Sequence, residues 1–104
     1  MDINTLTIGG NVSTLIDQDC LHKTKDGRFV INFSIASQKE NSNEADYIRC
    51  TAFGRNAEVI ATYVKQGSHV IIEGRLCSDT YEKDGHTNYT MYILVKKIDF
   101  RGNN

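Results

Sequence analysis

The chain has 104 residues, 39% of them apolar and 24% charged, a globular composition that closes one small core and leaves no room for a second domain. No apolar run is long enough to span a bilayer, and the opening MDINTLTIGG lacks the basic flank and apolar segment of a secretion signal, so a cytoplasmic location is expected. The formal charge is −1, from 12 basic and 13 acidic residues, a balance that by itself gives no support to a nucleic-acid partner.

The dominant period is two. Leu6, Ile8 and Val12 alternate with Thr5, Thr7 and Gly9, the pattern of a strand buried on one face. A short strand is expected around Cys20–Lys23, followed by Asp26-Gly27, a dipeptide that favours hairpin tips. Phe29, Ile31, Phe33 and Ile35 then alternate with Val30, Asn32, Ser34 and Ala36. A polar loop over 38–45 leads to a strand at 46–53, with Ile48, Cys50 and Ala52 facing the core and Tyr47, Arg49, Thr51 and Phe53 the other side.

In 55–66 the period changes: Ala57, Ile60, Ala61 and Val64 follow helical spacing, and Gly67 is placed to end the helix in a left-handed cap. Strands return at 69–76 and 88–95, separated by a hairpin at Asp84-Gly85. Gly9, Gly10 and Gly74 predict bulges or bends that curl the sheet. Three strands, a helix and two further strands make the order of a five-stranded OB-fold Greek-key barrel, all-β apart from the helix between strands three and four, occupying 1–104 as one domain.

The third strand carries the most chemical information. Two rings flanking a guanidinium suit an unpaired nucleic-acid strand, because bases stack on Tyr47 and Phe53 while Arg49 meets phosphate. The alternative is that both rings simply pack under a loop. Tyr81 and Lys83 stand on the second hairpin, where the ring serves either as a stacking platform or as a cap on the barrel or on a neighbouring subunit. Tyr89 and Tyr92 point to opposite faces of their strand, so one of them is expected in the core. Lys23, Lys25 and Arg28 surround the first hairpin, with Arg55, Arg75, Lys96 and Lys97 further on; they line a groove or a solvated surface equally well.

The runs DYIRCTAFGRNAEVI (46–60), YVKQGSHVIIEGRL (63–76) and YEKDG (81–85) resemble the bacterial single-stranded DNA-binding protein family, as do L-x-I-x-G-N at 6–11 and D-G-x-x-V-x-x-F-S-I-A at 26–36. The resemblance runs from about Asn4 to Val95. It implies an OB fold, usually a homotetramer with a dimer as the lesser possibility, that binds single-stranded DNA without sequence preference in replication, recombination and repair. It places stacking aromatics at Tyr47, Phe53 and Tyr81 and phosphate contacts at Arg49 and Arg55. Departures are the absence of tryptophan, Glu40 and Asn41 where many relatives have a ring, and Cys77-Ser78-Asp79-Thr80 where relatives are rich in arginine and lysine. The chain also stops at FRGNN, without the acidic tail through which relatives recruit partners, so tail-mediated recruitment has no support.

Other classes fit less well. An enzyme would need a phosphate-cradling glycine loop or a nucleophile elbow, and neither is found, while the acids Asp17 and Asp19 have no second pair at a spacing that fits a metal-dependent hydrolase; no catalytic residue and no cofactor are expected. Cys20, Cys50 and Cys77 form no C-x-x-C pair, which favours reduced thiols, and Cys20, His22, Cys77 and His86 lack the close pairing of structural zinc ligands. The remaining rival is a primosome-accessory-like OB dimer or adaptor with weak or no strand binding.

Overall fold

A computed structural model describes residues 2–100. In chain order it comprises β1 (Leu6–Val12), a single 3-10 turn at Gln18–Cys20, β2 (His22–Lys23), β3 (Phe29–Gln38), β4 (Ala45–Phe53), α1 (Arg55–Tyr63), β5 (His69–Lys83) and β6 (His86–Asp99). The strands form one sheet in the order β1-β5-β6-β4-β3-β2, antiparallel except for the parallel β4–β6 pair. Strand β1 also turns to pair with β3, through Asn11–Ala36 and Val12–Ile35, and this second pairing closes the barrel. The two-residue β2 makes a sixth strand beside the five long ones.

Period-two alternation arises because a curled sheet has an inside and an outside. Ile31, Phe33 and Ile35 of β3, Cys50 and Ala52 of β4, Val70 and Ile72 of β5, and Ile93 and Val95 of β6 all point inward and are buried. Helix α1 plugs the barrel with Ala57, Ile60 and Ala61. Each fully buried Ile or Val contributes about 1.5–3 kcal/mol. Cys50 belongs to this core, and burial pushes its thiol up to about 12, which makes it a small apolar filler.

Two of the three strand glycines match their expected role. Gly10 lies where β1 changes partner, and a Cβ there would stand 2.5 Å from the Ala36 carbonyl oxygen. Gly74 follows the register shift in the β5–β6 ladder, with the Leu94 carbonyl pressed against it. Gly9 forms no bulge: the β1–β5 register is unbroken from Leu6–Gly74 to Asn11–His69.

The helix is shorter than its sequence pattern. Val64 is extended at φ −95°, ψ 136° and only 2% exposed, so its branched side chain joins the core and the helix ends at Tyr63. Gly67 (φ +88°) is therefore not the helix cap. It is the third residue of a turn closed by the Ser68 N–H on the Lys65 carbonyl at 3.0 Å. At the other end Gly54 adopts φ 63°, ψ −131°, a conformation reserved for glycine, while its N–H donates to the Phe29 carbonyl at 2.8 Å.

Both Asp-Gly turns form, by different geometries. Asp84 (φ 54°) and Gly85 (φ 78°) make a two-residue type I′ loop between the paired Lys83 and His86. At Asp26-Gly27 only Gly27 has positive φ; its N–H donates to the Thr24 carbonyl at 2.9 Å. The Thr24 hydroxyl donates to the Asp26 carboxylate and holds it below the usual carboxylate range. Strands β5 and β6 outrun the expected 69–76 and 88–95 because they continue past the barrel as a two-stranded arm.

Candidate nucleic-acid interface

Residues opposite each other in a ladder share a face, so register assigns the outward side chains. On β3 and β4 the outer pairs are Val30–Phe53, Asn32–Thr51, Ser34–Arg49 and Ala36–Tyr47. Strand β6 adds Leu94 beside Thr51, and through β5 the face continues with Arg75–Leu94, Cys77–Tyr92, Asp79–Thr90, Tyr81–Asn88 and Lys83–His86. Four adjacent strands thus carry Tyr47, Phe53, Tyr81 and Tyr92 together with Arg49, Arg75 and Lys83 on one side.

The rings differ in their surroundings. Tyr47 is 73% exposed and Tyr81 52%, so both offer open π-faces. Phe53 is half-buried, and the Arg28 guanidinium lies over it, 4.5 Å from the ring centroid. Arg28 reaches that position because its turn folds back beside the start of β3. Arg49 donates from Nη1 to the Thr90 hydroxyl at 2.8 Å, and Thr51 donates to Asn32 Oδ1 at 2.7 Å, which fixes polar groups between the rings.

Not every expected residue joins this face. Lys23 pairs with Phe29 and lies 5.0 Å over that ring, on the side that alternates toward the core, so β2 turns it away from Phe53. Lys25 stands at the exposed tip of the Thr24–Gly27 turn. Gly54 redirects the chain, and Arg55 opens α1 beside Glu58, Val59, Thr62 and Tyr63, off the strand face. Arg75 lies at the margin, next to Asn4 and Thr5.

Tyr89 and Tyr92 also correct an expectation, since neither is in the core. Tyr89 is 72% exposed on the other side of the arm, where no barrel interior remains to receive it. Tyr92 is half-buried on the outer face, and desolvation, followed by the charge of Asp79, raises its phenol above the usual tyrosine value. Reading Ile93 and Val95 as inward assigns Tyr92 outward by parity, the signal that identifies it. The loop 39–44 carries only polar residues and is closed by a Lys39–Asp46 ion pair at 2.5 Å.

A barrel with this strand order, closed by β1 and plugged by one helix, defines an OB fold. The mitochondrial single-stranded DNA-binding protein of S. cerevisiae has the same fold, at a TM-score of 0.79 and 23% identity, each chain covered in full. The model of the "Single-strand binding protein family" matches residues 3–101, and the chain belongs to that family. Among curated relatives, the single-stranded DNA-binding protein of Staphylococcus epidermidis is 32% identical over 103 residues, covering 94% of this chain and 76% of the relative. That of Clostridium perfringens is 36% identical over 76 residues, covering 71% and 51%. The chain spans about half the length of several such relatives.

Proposed function

We propose that the chain binds single-stranded DNA across the outer face of β3, β4, β6 and β5 and shields unpaired strands during replication, recombination or repair. Bases stack on Tyr47, Phe53, Tyr81 and Tyr92, and phosphates meet Arg28, Arg49, Arg75 and Lys83. One observation carries the reading: Tyr47 stands exposed on the same sheet face as Arg49 and Phe53, and at the Phe53 end the Arg28 guanidinium already stacks on the ring. Stacking on rings is tolerant of sequence, because every base has a π-face. Lys23, Lys25 and Arg55, set around this face, act at most as distant attractors of phosphate.

A homotetramer is the assembly proposed. It is supported by apolar side chains left exposed on the barrel and arm, among them Ile71, Leu76 and Met91. The adaptor reading draws on Asp79 and the net charge of −1. Salt dependence separates the two. Four cations neutralising phosphate give a log–log slope of about −3 for a single strand. A flat slope with oligo-dT, or no binding at low salt, would establish the adaptor.

A further inference from the structure

Lys96 has no partner across the β5–β6 ladder. Glu73 pairs with Lys97 and Gly74 with Val95, so β6 fits one extra residue against two consecutive residues of β5. Val95 is buried, and alternation turns Lys96 outward. Unbroken alternation would then bury Lys97, but its partner Glu73 points outward between the buried Ile72 and Gly74. The bulge therefore keeps both lysines on the outside, and both are exposed.

Lys96 stands at the Phe53 end of the outer face. Thr51 and Leu94 are partners in the parallel β4–β6 pair, and Phe53 and Lys96 follow two residues on along each strand, with the same parity. The Lys96 carbonyl accepts from Asn56 Nδ2 at 3.3 Å, which ties the bulge to the start of α1, just past Phe53. Lys96 also lines an open hollow of about 200 Å³ together with Asn4, Thr5, Glu73, Gly74 and Arg75.

The chemistry of that hollow suits an anion better than a base. No ring lines it, and two cations face a single carboxylate. The carboxylate, on Glu73, has Lys97 directly opposite on the ladder, which offsets its charge. No ion pair among the described residues engages Arg75 or Lys96. The far wall is fixed, because the Asn4 amide donates to the Leu76 carbonyl at 2.8 Å and accepts from the Leu76 N–H at 2.9 Å.

We propose that the strand leaves the stacking face past Phe53 through this hollow, where Lys96 holds a backbone phosphate next to the one that meets Arg75. The inference rests on the strand-binding reading above and extends its contact surface over the bulge toward the segment before β1. A fifth cation steepens the expected log–log slope from about −3 to about −3.5.

The test is a salt titration of oligo-dT binding by fluorescence anisotropy, on the full chain and on Lys96→Gln, Lys96→Arg and Lys65→Gln. Lys65 lies in the exposed turn after α1, off the strand face, so its replacement removes the same charge without the contact. Lys96→Gln should flatten the slope by about 0.7, so that affinities equal near 1 M salt differ about eightfold at 50 mM. Lys96→Arg should keep the parent slope, and so should Lys65→Gln. A slope untouched by Lys96→Gln, or flattened as much by Lys65→Gln, would overturn this inference alone. Absence of binding by the unmodified chain would overturn it together with the reading on which it rests.

Discussion

Replacing Tyr47 by alanine isolates one stacking platform from the fold. The ring is 73% exposed, its cross-strand neighbour is the small Ala36, and no hydrogen bond among the described residues holds its hydroxyl. Removing it strips little buried area, so thermal stability should change by no more than about 0.5 kcal/mol, the usual range for surface substitutions. A stacked base is worth about 1–3 kcal/mol, which corresponds to roughly 5- to 150-fold in affinity for each occupied platform. Tyr47→Phe, which keeps the π-face, should bind nearly as the parent does. Anisotropy titration with labelled oligo-dT, paired with a melting curve for each variant, measures both quantities. If Tyr47→Ala keeps its affinity while its melting temperature falls, the ring belongs to a subunit contact and the stacking argument fails.

Phe53→Ala should weaken oligo-dT binding less than Tyr47→Ala does, while lowering the melting temperature, because a half-buried ring loses packing and its contact with Arg28. Arg49→Ala should flatten the salt slope by about 0.7, one phosphate on a single strand; an unchanged slope would remove this guanidinium from the interface. Gly74→Ala should destabilise the fold by about 1–3 kcal/mol in a denaturant titration, since its methyl group meets the Leu94 carbonyl across the bulge. Cys50 has a folded value raised from 9.0 to about 12, so the unfolded chain gives up its proton first as pH rises and stability falls across that interval, by at most about 1.4 kcal/mol per pH unit. Cys50→Ala should show a shallower decline between those values in pH-dependent denaturation.

The barrel is legible in the sequence wherever one side of a strand is buried. Phe33 and Ile35 against Ser34 and Ala36, or Cys50 and Ala52 against Thr51 and Phe53, leave no doubt about register because a shift of one residue would turn the core outward. The arm lacks that signal. Ser78, Asp79, Thr80 and Glu82 are exposed on both sides, so nothing in their pattern marks them as strand. Gly67 misleads for a related reason, since a glycine after a helical pattern looks like a cap until the burial of Val64 ends the helix earlier. The faces of Tyr47, Arg49 and Phe53 follow from parity, whereas those of Lys23 and Arg55 depend on how β2 docks and how Gly54 turns. Arg28 reaches Phe53 only through the three-dimensional path of its turn.

The guanidinium resting on Phe53 has a thermodynamic corollary. A nucleobase arriving there exchanges one π-partner for another, so this ring yields only the difference between two contacts, whereas bare Tyr47 yields the whole. On the proposed face, affinity would thereby be unevenly distributed along the strand.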